Sequence, residues 1–214
     1  MVDHNRIIFI NSNYMDYCKE CGKLIGTGRT SKVYLSKKNK KIAIKVIPNK
    51  YYNSLELRYS KKADKLNIGP KIYKKIKTKT HVLIYMQKID IILYKWLKKK
   101  HTKKEYEDAY KKVLRLIKKL HKNNIIHGDI HIGNIGLIGK KWVIFDFGKS
   151  HTDKNIKRYS YFDNLTRKIM KKPSYSNKYY EEYLKKIFQP YNNLPLSIKS
   201  HIKIIELRMK KISS

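Results

Sequence analysis

Residues 126–134 read Ile-His-Gly-Asp-Ile-His-Ile-Gly-Asn, and residues 143–148 read Val-Ile-Phe-Asp-Phe-Gly. The first stretch presents Asp129 and Asn134 in a loop, and the second places Asp146 at the end of an apolar strand. One carboxylate can orient a hydroxyl group and accept its proton, while a second carboxylate and an amide oxygen suit Mg²⁺, which prefers oxygen ligands. Each of these residues alone could belong to an ordinary turn, because Gly-Asp and Asp-Gly are common turn formers. The two stretches together predict a site that binds a metal ion and activates a hydroxyl group.

A glycine-rich segment and a lysine precede these stretches. In residues 25–33, Gly26 and Gly28 allow close backbone approach, so that amide groups can face phosphate oxygens, although two glycines in a hairpin can also be a simple turn. Twelve residues further on, Lys45 lies within the apolar run Ile42–Ile47. A lysine there is costly unless it has an anionic partner or lies at a solvated strand edge. The order of the two features predicts that Lys45 reaches the phosphates of a nucleotide.

Glu56 is the acidic residue that can hold this lysine in place. It follows Asn53 by three residues, at the start of a predicted helix. The carboxylate could instead complete a capping box with Asn53. We predict the ion pair with Lys45, because Asp64 is the only nearby rival.

The alternation of apolar residues predicts a small β-rich lobe over about residues 1–88, followed by a mainly helical, truncated lobe over about residues 89–214. The chain is therefore predicted to form a single α+β, bilobal domain. The predicted strands are Ile7–Ile10, Lys23–Gly26, Lys32–Leu35, Ile42–Ile47, Ile72–Ile76 and Val82–Met86, with a helix at Ser54–Leu66. Later helices are predicted after a capping box at Thr102 and Glu105, and at Phe162–Met170, Tyr179–Phe188 and Ile198–Ile212.

Composition limits the classes of protein that fit. Hydrophobic residues make up 41% of the 214 residues, enough for a packed core, and no apolar run is long enough to span a bilayer. The net charge of +35 favours non-specific binding to polyanions, although the richness in Lys, Ile, Asn and Tyr also fits an AT-rich genome. Cys18 and Cys21 lack a second ligand pair for zinc and are predicted to be free thiols. We therefore expect a protein without a transmembrane segment, in a reducing cytoplasm.

The quoted stretches resemble the signatures of the protein-kinase superfamily, in the family's order over roughly residues 23–165. The resemblance implies the bilobal kinase fold and binding of ATP and Mg²⁺. It implies Asp129 as catalytic base, acting with Lys45 and Asn134, and Asn134 and Asp146 as metal ligands. The residues implied to bind the nucleotide are Ile25, Gly26, Thr27, Gly28, Ser31, Val33, Lys45, Glu56, Met86 and Ile89.

Several positions depart from the protein-kinase pattern. Gly128 stands where protein kinases carry an arginine, His131 where they usually carry a lysine, and Ser31 where the loop would have its third glycine. No Ala-Pro-Glu follows Gly148, and Asp163, which could brace the catalytic loop, comes only fifteen residues later. The His-Gly-Asp-x-His pattern resembles aminoglycoside and choline phosphotransferases. The compact chain resembles the small atypical kinase of the KEOPS complex and the reduced kinases of large DNA viruses.

Three functions follow as hypotheses. The first is a reduced Ser/Thr protein kinase, located in the cytoplasm, or in the host cytoplasm or virion if it is viral, whose basic surface would suit acidic or nucleic-acid-associated protein substrates. The second is a small-molecule kinase. The third is a basic nucleic-acid-binding protein with vestigial kinase motifs, which would not explain why all the motifs are present together.

Overall fold

The computed structural model describes residues 18–152 and 177–210. The strand predicted at Ile7–Ile10 and the helix predicted at Phe162–Met170 lie outside the described residues, as does Asp163. Across the described residues, no helix is both long and apolar enough to cross a membrane.

The described N-terminal strands form one antiparallel sheet in the order β1-β2-β3-β5-β4. These strands are β1 (Cys21–Thr27), β2 (Lys32–Ser36), β3 (Ile42–Pro48), β4 (Ile72–Lys77) and β5 (His81–Gln87). Strand β3 lies in the centre, where its β-branched residues pair with β2 on one side and β5 on the other.

The side chains of β3 alternate between two packed faces of the sheet. Ile44 and Val46 belong to a cluster on one face that also contains Cys18 and Cys21. Ile47 belongs to a second cluster on the other face, which includes Leu57 of the following helix. Because successive residues of a strand point to opposite faces, Lys45 shares the face of Ile47. The sheet register therefore directs Lys45 towards the rest of the molecule.

Helix α1 (Ser54–Lys65) follows β3 and crosses this second face. Asn53 caps it by accepting a hydrogen bond from the backbone N–H of Leu55, which satisfies one of the unpaired amides of the first turn. Glu56 lies in that first turn. The helix also contacts the short 3₁₀ turn Phe147–Lys149. One helix thus links the N-terminal sheet to the segment that carries Asp146.

The rest of the described chain consists of helices, loops and a small sheet. It contains β6 (Ile91–Ile92), α2 (Leu93–Leu97), α3 (Lys103–Lys122), β7 (Ile135–Ile138), β8 (Lys141–Ile144), α4 (Asn177–Ile187) and α5 (Leu196–Lys210). Strands β6, β7 and β8 pair in that order. The predicted capping box is present at the start of α3, between Thr102 and Glu105. The main hydrophobic core lies among these helices and includes Val113, Ile117 and Leu184.

The architecture confirms the predicted α+β class, with a β-rich N-terminal part and a helical C-terminal part. Each predicted strand and helix within the described residues is present, with ends that differ by a few residues. The last helix, for example, begins at Leu196 where Ile198 was predicted, and its predicted end at Ile212 lies outside the described residues. The single-domain assignment and its boundary near residue 88 stay predictions.

The prediction of free thiols was wrong. Cys18 and Cys21 form a disulfide, and the described residues contain no free cysteine. A tight turn explains the pairing, because the backbone N–H of Cys21 donates to the carbonyl oxygen of Cys18 at 3.0 Å. This turn holds the two Cα atoms 5.4 Å apart, within the range that a disulfide spans.

Candidate active site

Lys45 lies between two carboxylates that come from different parts of the chain. Its Nζ is 2.5 Å from Glu56 Oε1 and 2.8 Å from Asp146 Oδ1. The side chains of Lys45 and Glu56 are only 10% and 12% exposed, whereas that of Asp146 is 45% exposed. The predicted ion pair between Lys45 and Glu56 is therefore present, and Asp146 joins it from the side that faces solvent.

The charges of this triad depend on one another. Burial disfavours the charged ammonium group and acts to lower the pKa of Lys45. The attraction of the Asp146 and Glu56 carboxylates outweighs this effect, so the pKa of Lys45 is raised. Lys45 in turn lowers the pKa of Asp146. Burial raises the pKa of Glu56, against the pull of Lys45. At neutral pH, the site therefore holds a charged lysine beside an ionised, partly exposed Asp146.

Asp129 and Asn134 lie at the two ends of one buried loop. The Asn134 side-chain amide Nδ2 donates to the backbone carbonyl oxygen of Asp129 at 2.9 Å, which closes the loop. The backbone N–H of Phe145 donates to the carbonyl oxygen of Asn134 at 3.0 Å. These bonds tie the loop to the strand that ends at Asp146, so the three residues predicted from the two sequence stretches are held by one network.

His127 is a fully buried support of this loop. Its Nδ1 accepts the backbone N–H of Asp129 at 3.3 Å, and its Nε2 lies 3.0 Å from the carbonyl oxygen of Phe145. Both contacts are satisfied at once by a neutral ring that carries its hydrogen on Nε2. Burial lowers the pKa of His127 to about 4, which agrees with this neutral form.

Gly128 makes close backbone contact with the segment after Asp146. Its φ of +73° lies in the left-handed region, and a Cβ at this position would lie 2.4 Å from the carbonyl oxygen of Lys149. Ile126 and His151 form an isolated antiparallel bridge beside it, and Ser150 Oγ donates to the carbonyl oxygen of His127 at 3.0 Å. An arginine at position 128 cannot fit this arrangement, which accounts for the first departure from the protein-kinase pattern.

Lys149 is a residue of the site that the sequence did not single out. Its Nζ lies 3.1 Å from Asp129 Oδ2, whereas the nearest imidazole nitrogen of His131 lies 3.9 Å from the same oxygen. Burial lowers the pKa of His131 well below its ordinary value. The adjacency of Lys149 to the Asp146-Phe-Gly stretch was visible in the sequence, but no periodicity or spacing rule connects it to Asp129.

Helix α5 packs beside the same loop. The rings of His131 and His201 have centroids 5.0 Å apart, and a Cβ at Gly133 would lie 3.2 Å from Ile205 Cδ1. The helix also contacts β1 of the N-terminal sheet. It therefore lies close to both halves of the molecule on one side of the candidate site.

The residues predicted to cover the nucleotide lie around the β1–β2 hairpin. Ile25, Gly26 and Thr27 belong to β1, Val33 belongs to β2, and the hairpin closes where the N–H of Gly28 donates to the carbonyl oxygen of Ser31 at 2.8 Å. Val33 pairs directly with Lys45, so both residues share one face of the sheet.

Two further predicted residues lie near the connection between the lobes. Met86 pairs with Ala43 and is thus on the same face as Lys45. Ile89 follows β5 and lies against Gly136, whose Cβ would be only 2.6 Å from Ile89 Cγ2. Both side chains are half-buried. The structure thus places Val33, Lys45 and Met86 on one face of the sheet.

The donor set fits a magnesium ion. Among the described residues, no three carboxylate, imidazole or thiol side chains group together as a dedicated metal cage would require. Asp146 is partly exposed, and the Asn134 amide nitrogen is engaged with Asp129, which leaves its oxygen as the atom suited to a cation. Mg²⁺ commonly uses one or two such oxygens together with water and substrate phosphates.

Comparison with known proteins also indicates a kinase-like protein. The protein kinase domain family matches residues 20–186. The chain is 31% identical over 140 residues to a probable serine/threonine-protein kinase of Encephalitozoon cuniculi, an alignment that covers 60% of this chain and 26% of the relative. The chain thus spans about a quarter of the length of this curated relative.

A solved structure shares the fold. The structure of the Cydia pomonella granulovirus kinase PK-1 superimposes with a TM-score of 0.62 at 19% identity, over 86% of this chain and 74% of the other. The fold and the site together define a kinase-like protein. Because the family match covers most of the chain, the protein belongs to the protein kinase domain family.

Proposed function

We propose that the protein is an ATP- and Mg²⁺-dependent phosphotransferase that acts on serine and threonine hydroxyl groups of proteins. The observation that carries the proposal is the contact of Lys45 Nζ with both Glu56 and Asp146, next to the loop of Asp129 and Asn134. A buried lysine held by two carboxylates is a costly arrangement unless its charge is used, and phosphoryl transfer uses it.

Each of these residues has a separate role in an in-line transfer of the γ-phosphoryl group. The substrate hydroxyl oxygen forms a bond to the γ-phosphorus, the bond from that phosphorus to the β,γ-bridging oxygen breaks, and ADP leaves. Asp129 orients the hydroxyl group and accepts its proton. Lys45 binds the α- and β-phosphates, and Glu56 keeps its ammonium group in position.

The remaining residues bind the rest of the nucleotide and the metal ion. The amides of the hairpin formed by residues 25–33 face the phosphates, while Val33, Met86 and Ile89 contact the adenine ring. Asn134 and Asp146 hold Mg²⁺, which supplies positive charge to the phosphate oxygens when it is bound. Asp146 is suited to this role because its low pKa keeps it ionised and its side chain is partly exposed.

A protein acceptor is favoured by the protein kinase domain match and by the serine/threonine-kinase relative. The basic charge favours acidic or nucleic-acid-associated proteins as substrates. A small-molecule acceptor is the second candidate. It is favoured by Gly128, which belongs to the pattern that resembles aminoglycoside and choline phosphotransferases. The close approach of the Lys149 carbonyl oxygen leaves no room for a side chain at this position.

The test is a transfer assay with γ-labelled ATP and Mg²⁺. Casein and myelin basic protein would be compared with aminoglycosides and aminoalcohols, with Lys45→Met as the inactive control. We expect label on serine and threonine of the proteins, and none with the variant. Label on the small molecules alone would select the second candidate, and equal labelling by Lys45→Met would contradict the phosphotransferase assignment.

A further inference from the structure

The catalytic loop has no lysine of its own at the position where protein kinases usually carry one. His131 stands there, and its side chain is only 14% exposed. Its ring packs against His201, with ring centroids 5.0 Å apart, and lies 3.9 Å from Asp129 Oδ2. A site that transfers a highly charged phosphoryl group from the nucleotide to a hydroxyl group oriented by Asp129 therefore needs a cation from elsewhere.

Lys149 is in position to supply that cation. Its Nζ lies 3.1 Å from Asp129 Oδ2, closer than the imidazole of His131. The Lys149 side chain is 43% exposed, whereas that of Asp129 is 11% exposed, so the contact joins a buried carboxylate to a side chain that reaches solvent. Lys45 occupies a different place, because its ammonium is held by Glu56 and Asp146.

The backbone around Lys149 explains how the side chain reaches the loop. The carbonyl oxygen of Lys149 lies against Gly128, in space that any Cβ would occupy. The bridge between Ile126 and His151 fixes how the segment that contains Gly128 pairs with the segment that contains Lys149. The absence of a side chain at position 128 therefore brings residue 149 next to Asp129, so the two departures, Gly128 and His131, belong to one arrangement.

We propose that Lys149 replaces the missing catalytic-loop lysine as a positioning residue for the phosphoryl transfer. Its ammonium group holds the Asp129 carboxylate in place and neutralises charge on the γ-phosphoryl oxygens as the bond to the β,γ-bridging oxygen breaks. The hydroxyl proton still passes to Asp129, so Lys149 gains and loses no proton. This inference rests on the proposed phosphotransferase function.

The first test compares Lys149→Met and Lys149→Arg with the wild-type chain in the labelled-ATP assay. Lys141→Met is the matched control, because Lys141 is an exposed lysine at the start of β8. We expect Lys149→Met to lower kcat by on the order of 100-fold with little change in the KM for ATP, as when one group aimed at developing charge is removed. Lys149→Arg should retain most of the activity, and Lys141→Met should match the wild type.

The second test moves the lysine back to the loop. In the double variant His131→Lys/Lys149→Met, a lysine at 131 should recover at least a tenth of the lost kcat, because it can reach the same carboxylate. If packing against His201 prevents this variant from folding, Lys149→Arg tests by itself whether a positive charge at position 149 is sufficient. Recovery by either variant supports the positioning role.

Three results would overturn the inference. They are an unchanged kcat in Lys149→Met, equal losses in Lys149→Met and Lys149→Arg, or a collapse of the melting temperature in Lys149→Met alone, which would make the role structural. A wild-type chain that transfers no phosphate to any acceptor would instead remove the proposed function itself. The two failures are therefore distinguishable.

Discussion

Gly128 is the residue whose backbone most directly shapes the site. Alanine at this position must adopt a φ of +73° and also place its Cβ 2.4 Å from the carbonyl oxygen of Lys149. Gly139 provides the matched comparison, because its φ is +58° but nothing lies within 4 Å of its added Cβ. We expect Gly139→Ala to lose about 1 kcal/mol of unfolding free energy, the cost of the left-handed backbone alone.

Gly128→Ala should lose clearly more unfolding free energy than Gly139→Ala, because the segment that carries Lys149 must move. The kcat of Gly128→Ala should fall for the same reason. Urea denaturation of the two variants measures the difference in stability. Equal losses would show that Lys149 does not approach position 128 as closely as described.

His127 makes stability depend on pH. Burial lowers its pKa to about 4 in the folded protein, against about 6.5 in an unfolded chain. The unfolded chain therefore binds more protons between these values, so the stabilising contribution is complete above about pH 6.5 and is lost as the pH falls towards 4, by roughly 3 kcal/mol. Urea unfolding at a series of pH values measures this loss.

His127→Gln is the control for this pH dependence. The variant should show a shallower loss of stability on acidification, with a residual slope because the pKa of His131 is lowered in the same direction. A variant as pH-sensitive as the wild type would indicate that His127 is not buried in its neutral form.

Among the elements, the turn before β1 departs most from the sequence-based expectation. The disulfide between Cys18 and Cys21 closes a very short loop, and both cysteines belong to a buried cluster that includes Ile44 and Tyr85. Loop-closure entropy assigns about 2 kcal/mol to so short a crosslink. We expect the replacement of both cysteines by serine to lower the unfolding free energy by about that amount or more, because the packing of two buried sulfur atoms is also lost.

Thermal melting with and without a reductant measures this effect. Reduction should lower the melting temperature of the wild-type chain and leave that of the double serine variant unchanged. Identical shifts in both would contradict the assigned disulfide.

The elements themselves were largely predictable, because alternation in Ile42–Ile47 and the capping box at Thr102 and Glu105 are local signals. The pairing of Lys45 with Glu56 was also predictable, since few acidic residues lie nearby. The contact of Lys149 with Asp129 was not, because it depends on the backbone register between two segments that are twenty or more residues apart. The disulfide depended on a turn whose geometry two cysteine positions alone do not specify.

For the molecule as a whole, the net charge of +35 dominates long-range interactions. Lysine supplies most of it and is spread along the chain, so we expect binding to heparin and to unrelated DNA sequences with similar affinity. Because counterions are released on binding, this affinity should fall by at least tenfold between about 50 and about 200 mM salt. Fluorescence anisotropy with two unrelated duplexes measures it, and salt-independent or sequence-selective binding would contradict the expectation.

Asp129, Lys45 and Asp146 are proposed to act together on one metal-bound triphosphate. The most direct measurement compares Asp129→Asn with the wild type in two assays, MgATP binding by calorimetry and phosphoryl transfer from labelled ATP. We expect the variant to bind MgATP about as tightly as the wild type while transfer falls at least 100-fold, since only the group that accepts the hydroxyl proton is lost. Undiminished transfer by Asp129→Asn would contradict it.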